Sequence, residues 1–325
     1  MKILVAGASG ALGRQLVPRL VARGYDVAGM TRSESKIETV RRLGASPVVA
    51  DALEPEEVAR VVAEVEPEVI VHQLTALTDS LSDTRHPDRA FALTDRLRTE
   101  GTDHLLAAGR AVGVRRFVAQ SYAGWRFARQ GGPVMTEEDP IDFSVPNKLR
   151  GILDAVRHLE DAVTGAGWTE GLVLRYGNFY GPGTSMAPGA EHFELVAKRK
   201  FPVVGSGGGV WSFVHIEDAA EATVAAIERG NRGIYNIVDD EPAAVAEWLP
   251  ALAGAVGAKP PRRVPLWLGR LLAGEAAAGM MTEVRGASNK KAKRDLGWHP
   301  SHPSWREGFV EVATQHAPPK TVRTV

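Results

Sequence analysis

Gly7-Ala8-Ser9-Gly10-Ala11-Leu12-Gly13 constrains this chain more than any other segment. Three glycines stand at every third position, after a short apolar run (Ile3–Ala6) and ahead of an amphipathic stretch (Leu12–Arg23). Glycine at position 7 permits a tight turn, Gly10 lets the backbone approach an anion such as pyrophosphate, and Gly13 lets a helix pack against a strand. The start of that helix, with Ala11 and Leu12, then presents N–H donors and a positive dipole end, and Ser9 lies within the same turn. A glycine pattern alone is weak evidence. Its weight comes from the strand before it and the helix after it, the setting in which such a turn cradles a phosphate.

The alternation continues. Short runs rich in Val or Ile occur at Asp26–Met30, Pro47–Ala50, Val69–His72 and Arg116–Gln120, as expected of buried parallel strands. Between them, amphipathic stretches at Glu34–Leu43, Pro55–Glu64 and Ala90–Val112 read as helices, and Pro18 predicts a bend in the first one. Strand, helix, strand, helix implies right-handed crossovers and a doubly wound α/β parallel sheet with helices on both faces. Beyond residue 146 the pattern loosens, with helices expected at Gly151–Val163, Asp218–Arg229 and Ala243–Ala255 and strands at Gly171–Tyr176 and Gly233–Val238. Gly124–Pro146 has no period and carries Pro133, Pro140 and Pro146, which suits a lid over a ligand with the acidic run Glu137-Glu138-Asp139 toward solvent.

The chain has 325 residues, 44% of them apolar, enough for about two domains on a ~150-residue scale. Lys and Arg total 39, balanced by 39 Asp and Glu, which argues against nucleic acid or an anionic membrane surface as partner. No run approaches the ~18 apolar residues of a membrane span. The glycines interrupt the apolar opening, and nothing after it resembles a signal-peptide cleavage site. With no cysteine there are no disulfides, thiolate metal sites or Cys nucleophile. These features suit a soluble protein of a reduced compartment, the cytoplasm. Nine histidines are scattered, and the close pair His299 and His302 lacks a third ligand nearby in sequence, so no metal is expected.

The G-x-x-G-x-x-G lettering resembles the short-chain dehydrogenase/reductase superfamily, and five further segments resemble its extended, epimerase/dehydratase-like branch. They are Val69–Ala76 (VIVHQLTA), Arg116–Ser121 (RFVAQS), Leu174–Pro182 (LRYGNFYGP), Phe213–Asp218 (FVHIED) and Leu296–Pro300 (LGWHP). The resemblance implies a Rossmann domain over residues 1–176, with the lid-like loop 124–146, and a smaller C-terminal α/β region over 177–325 that binds substrate, of which 210–238 returns to the Rossmann core. It also implies a nicotinamide cofactor held by the glycine turn, by Ala52, by Leu74, Thr75 and Ala76, by Gln120, and by Tyr176, Asn178 and Phe179.

The second strand ends at Thr31-Arg32-Ser33, where an NAD site usually has a carboxylate. Arg32, Ser33 and Lys36 can instead pair a 2′-phosphate, which favours NADP(H); the plainer reading of Arg32 is a solvated loop cation. Asp51 resembles the acid that the family sets against adenine, or it caps the helix that starts near Pro55.

Relatives of this kind use a serine after the fifth strand and a Tyr-x-x-x-Lys pair on the next helix. Ser121 matches the serine. The pair is missing: the residues four positions after the five tyrosines are Gly29, Arg126, Tyr180, Thr184 and Asp239. Aligning Glu160 with the family's glutamate puts Ile152 and Val156 where tyrosine and lysine belong. Tyr122 and Tyr180 are the hydroxyls nearest the expected site, each otherwise a packing aromatic. Trp125, Phe127, Phe143, Phe179, Tyr180, Phe193 and Trp211 suggest a flat, apolar substrate.

The expectation is an NADPH-dependent ketoreductase, similar to the tyrosine-less ketoreductases that tailor aromatic polyketides in antibiotic biosynthesis, with the substrate's own phenol assisting. The alternatives are an NAD-bound nucleotide-sugar epimerase or dehydratase, and a non-catalytic NADP-binding sensor. Nothing in the sequence specifies an oligomeric state.

Overall fold

A computed structural model describes residues 1–77, 85–124, 131–145 and 147–314. Strands β1 (Lys2–Ala6), β2 (Asp26–Thr31), β3 (Ser46–Val49), β4 (Val69–His72) and β5 (Arg116–Tyr122) alternate with helices α1 (Ala11–Ala22), α2 (Ile37–Arg42), α3 (Pro55–Val65), α4 (Pro87–Arg98) and α5 (Glu100–Ala111). The expected single helix Ala90–Val112 is therefore two. The break falls at Thr99 (φ −97°, ψ −84°), whose hydroxyl and N–H both turn back to the Asp95 carbonyl. Helix α1 runs unbroken through Pro18.

Then come β6 (Val134–Met135), α6 (Asn147–Gly165), β7 (Glu170–Tyr176), β8 (Asn178–Tyr180), α7 (Glu191–Ala197), β9 (Val203–Val204), β10 (Val210–Trp211), β11 (Phe213–His215) and α8 (Ile216–Arg229). The chain closes with β12 (Gly233–Ile237), β13 (Ala243–Ala244), α9 (Val245–Ala255), β14 (Arg263–Val264), α10 (Leu266–Thr282), β15 (Gly286–Ala287), α11 (Lys290–Leu296) and α12 (Trp305–Thr314). Among the described residues, no helix is long and apolar enough to cross a membrane.

Seven strands form one parallel sheet in the order β12-β7-β5-β4-β1-β2-β3. Ile3 of β1 sits between Val27 of β2 and Val69 of β4, so the centre is buried on both faces. One face packs Leu12, Leu16 and Leu20 of α1 against Ala222, Val224 and Ile227 of α8. The other packs Val58 and Val62 of α3 with Leu105 of α5 and Leu159 of α6. Strand order reverses between β1 and β4, and the crevice beyond the C-terminal ends of those two strands is where such sheets bind ligands. A separate core, in which Phe213 meets Trp248 and Phe309 edge-on and Trp305 at a tilt, holds the C-terminal region.

The stretch expected to be a lid is described only at residue 124 and over 131–145. Across the latter it is tied down. β6 pairs in parallel with β15, and Glu137 Oε1 accepts the Asn236 N–H at 2.7 Å. Glu137 therefore turns inward, correcting the expectation that the whole acidic run faces solvent, and partial burial raises its pKa.

Candidate active site

The glycine turn occupies the crevice at the strand reversal. Gly7 has φ +94°, and a Cβ there would meet the Gln73 carbonyl oxygen at 2.9 Å. A Cβ on Gly13 would lie 2.4 Å from the Gly7 carbonyl, so only glycine lets α1 start this close to the turn. Gly10 is the N-cap of α1; it offers no side-chain cap, and the first turn carries no acidic residue. Ala11 and Leu12 open the helix, and the Ser9 carbonyl accepts Arg14 Nε at 3.0 Å. A helix end with uncapped N–H groups and no competing carboxylate fits a pyrophosphate.

At the end of β2, Arg32 is exposed and makes no hydrogen bond or ion pair among the described residues. Ser33 shares a hydrogen bond with Ser35 (2.7 Å), and Lys36 closes the short turn that follows. Asp51 does not cap α3, whose N-cap is Glu54. Its Oδ1 instead accepts the Leu53 N–H (3.0 Å), shaping the turn after β3, and the buried Ala52 offers its carbonyl to His104 (2.9 Å).

After β4, the Leu74 N–H donates to His72 Nδ1 (3.3 Å) and the Ala76 N–H to Thr94 (3.0 Å), with Thr75 half-buried between them. Burial holds the His72 pKa down at about 4. The ring is thus neutral, and with Nδ1 accepting, Nε2–H donates to Thr102 (3.1 Å).

Strand alternation separates Ser121 from Tyr122. Ser121, 2% exposed, points toward α6, where its hydroxyl donates to Glu160 (2.7 Å). Glu160 also takes two hydrogen bonds from Arg175, at 3.0 and 2.8 Å, forming a buried ion pair. Tyr122 points the other way with the half-buried Gln120; its hydroxyl donates to Asn178 Oδ1 (3.0 Å), and Asn178 Nδ2 donates to the Ser212 carbonyl (3.0 Å). Burial pushes the Tyr122 pKa up to about 12, against the opposing pull of the Asn178 hydrogen bond. Tyr122 and Asn178 line a cleft closed by Trp211, Met280, Val284 and Arg285.

The remaining expected residues scatter. Tyr180 is fully buried in the C-terminal core, edge-on to Phe309 (5.4 Å) and His215 (5.1 Å), so packing takes it out of the cleft as a proton donor. Tyr176 is buried too, donating to Thr223 (2.6 Å) and tilted against the half-buried Phe179 (5.3 Å). Trp125 and Phe127 lie outside the described residues. Phe143 stacks under the Arg157 guanidinium (4.7 Å), and Phe193 sits on α7, leaving Trp211 in the cleft lining. Ile152 and Val156 are 2% and 4% exposed, and α6 carries no titratable group at either position.

Sequence reasoning missed the cleft's far wall, because Met280, Val284 and Arg285 follow no motif. The Glu160–Arg175 pair left a usable signal, since an arginine in a strand otherwise buried demands a carboxylate. His302 also gains neighbours that its sequence position hid: Asp218 at 3.0 Å and the His215 ring at 3.8 Å. Both Asp218 oxygens already accept backbone N–H groups, from Ser301 (2.8 Å) and His302 (2.9 Å), so this cluster pins the closing segment onto α8.

Comparison with known proteins places this geometry. The model of the NAD dependent epimerase/dehydratase family matches residues 3–238. A Streptomyces 3-diazoavenalumate denitrifying reductase is 46% identical over 310 residues, 95% of this chain and 99% of that protein. A Stigmatella aurantiaca 4-hydroxy-2-methyl-3-oxo-4-farnesyl-3,4-dihydroquinoline-1-oxide ketoreductase is 28% identical, covering 80% of this chain and 74% of its own. Among solved structures, a Thermus thermophilus UDP-glucose 4-epimerase in complex with NAD superposes with a TM-score of 0.74 at 26% identity, over 98% of this chain and all of that one.

Proposed function

The chain belongs to the NAD dependent epimerase/dehydratase family, and from that premise we propose that it is an NADPH-dependent reductase that needs no proton from a side chain. The best-fitting reaction is reductive removal of N2 from an aryl diazonium. One observation carries this reading: buried, aliphatic Ile152 and Val156 stand where relatives with the usual relay place tyrosine and lysine.

Gly7–Gly13 would hold a reduced nicotinamide cofactor, with Arg32 at its 2′-phosphate, and the cofactor would supply a hydride. What the chain's own residues can add then decides between acceptors. A ketone becomes an alkoxide and requires a proton. Tyr122, with its pKa pushed up to about 12, is a weak acid whose hydroxyl already donates to Asn178, and Ser121 donates into the Glu160–Arg175 pair. An aryl diazonium makes no such demand. Hydride bonds to the terminal nitrogen, giving an aryl diazene. Its N–H proton then moves to the ring carbon as the C–N bond breaks and N2 leaves. The hydride and its electron pair account for the whole change, and no external proton is consumed. The role left to the protein is to place a flat ring against the nicotinamide and exclude water. The name of the 46%-identical Streptomyces relative supports the same chemistry.

Ketone reduction is the second reading, favoured by the Stigmatella ketoreductase. There a phenol beside the carbonyl holds the developing oxyanion. NADPH deuterated at C4 separates the two. Denitrification releases one N2 per NADPH consumed and puts hydrogen on the ring carbon that carried nitrogen, while the label on the diazene nitrogen exchanges with water. NADPH oxidation that labels only a carbinol carbon, with no N2, refutes the first reading and supports the second.

A further inference from the structure

The C-terminal region leaves one apolar helix face uncovered. Helix α10 sits on β9 through Leu266, which packs on the C-terminal core, and Gly269, where a Cβ would meet Val204 Cγ1 at 2.3 Å. The opposite face carries Trp267 and Leu271, each 67% exposed, with Leu272 at 56% beside them. These are the most exposed large apolar side chains among the described residues. Arg85 fastens this part of the helix. Its Nε donates to the Leu272 carbonyl (2.7 Å) and its Nη2 to the Leu271 carbonyl (3.3 Å), just ahead of the break at Gly274 (φ +88°). Two turns are thus held with three neighbouring apolar groups in water, an arrangement that marks an interaction site.

The border of this face supplies a second observation. From residue 256 to 274 the chain has four cations, Lys259, Arg262, Arg263 and Arg270, and no acid. Arg262 and Arg263 are exposed and lead through Pro265, the N-cap, into α10. The Val203 N–H donates to the Arg262 carbonyl (2.8 Å) and Arg199 Nε to the Pro260 carbonyl (3.0 Å), which lays the exposed Lys200 alongside them. Among the described residues, Arg270 pairs with Glu275 (3.1 Å), whereas Lys200, Arg262 and Arg263 make no ion pair. Tryptophan and leucine on an outer face, bordered by unneutralised cations, are the make-up of a helix that lies in the surface of an anionic bilayer. The apolar groups enter the acyl boundary, the indole rests at headgroup level, and the cations meet phosphate. The chain's balanced total does not oppose this, because exposed charges act over about 10 Å at 0.1 M salt and the surface meets only the local excess.

We infer that the outer face of α10, with its basic border at Lys200, Arg262 and Arg263, docks the protein reversibly on anionic phospholipid. Co-sedimentation of the full chain with vesicles tests this. At about 0.1 M salt the wild type is expected to bind vesicles containing roughly one third phosphatidylglycerol at least about tenfold more tightly than pure phosphatidylcholine, and to lose that preference at about 0.5 M. Arg262→Gln with Arg263→Gln is expected to weaken binding to the anionic vesicles about tenfold. Trp267→Ser with Leu271→Ser is expected to weaken binding to both kinds of vesicle. Both double variants keep the wild-type Tm, since the exchanged side chains are exposed, so a loss of binding reports the surface and not the fold. Equal binding of the two vesicle types by the wild type overturns the inference, as do double variants that sediment with anionic vesicles like the wild type. A dimer in sedimentation velocity that Trp267→Ser with Leu271→Ser dissolves, without vesicle binding, also overturns it and gives the face to a second copy of the chain.

Discussion

The turn after β1 and the face of α6 opposite it have fared differently in one chain. In the turn, Gly7 and Gly13 answer steric demands: at Gly13 the nearest backbone oxygen is 2.4 Å from where a Cβ would sit. On α6, Ile152 and Val156, set by the resemblance at the family's tyrosine and lysine positions, are buried and aliphatic, although the same helix carries the Glu160 that pairs with Arg175. On the function proposed above, binding and proton chemistry are separable within this fold. A chain that keeps the cradle and the structural ion pair but lacks the acid is then suited to a hydride acceptor that needs no proton.

The largest effect is expected in the turn. Gly13→Val drives a branched side chain into the Gly7 and Ala8 carbonyls, with a loss of about 3 kcal/mol or more in stability and of all measurable cofactor binding. Thermal unfolding and NADPH fluorescence report both, and a variant that still binds NADPH breaks the claim that the turn is sterically closed. Next comes Arg32→Asp, which is expected to cost about 2–3 kcal/mol of NADPH affinity, from lost charge-assisted hydrogen bonds and added repulsion, with NADH far less affected. Equal weakening of both cofactors refutes the role of Arg32 at the 2′-phosphate.

How much of this was legible followed the range of the forces involved. The first five strands of the sheet, the helices between them and the glycine turn are written in local periodicity and in backbone demands of single residues, so they could be read from residues 1–120 directly. The cleft is not local. Tyr122 meets Asn178 across 56 positions, and Arg285 meets Gly132 across 153. Tyr180 could be placed near the site by its motif, but the packing of Phe309 and His215 around it has no signature in the segment that contains it. Even within the legible half, the break at Thr99 escaped notice, because the apolar period runs on through it.

A smaller effect sharpens the contrast by pH. Asp239, just after β12, is 1% exposed, and among the described residues its Oδ2 has no hydrogen-bond partner; burial pushes its pKa up to about 8 from an ordinary 3.8. The unfolded chain ionises this group near pH 4 while the folded one keeps its proton to about 8. Stability is thus lost as pH rises across that window. Asp239→Asn is expected to gain about 1–2 kcal/mol at pH 7.5 and almost nothing at pH 4, as followed by urea unfolding at both values. A gain independent of pH removes the buried carboxyl from the explanation.

The smallest effect tests the missing acid. Tyr122→Phe is expected to lower kcat less than about tenfold and to leave NADPH affinity unchanged, with the same flat rate between pH 6 and 9 as the wild type. A loss of about a thousandfold would make Tyr122 an essential donor and erase the difference between this cleft and that of a tyrosine-dependent reductase.

The ladder between β6 and β15 has a consequence for how such a chain can be altered. Gly132 and Arg285 stand at the two ends of one hydrogen bond but more than 150 positions apart. The rim of the cleft at Arg285 is thus anchored by a distant piece of chain, residues 132–135. Exchanging one piece between relatives leaves a two-rung ladder with mismatched sides. A graft that is to keep this ladder has to bring both pieces together, and a crossover placed anywhere between them is expected to lower Tm while leaving the glycine turn intact.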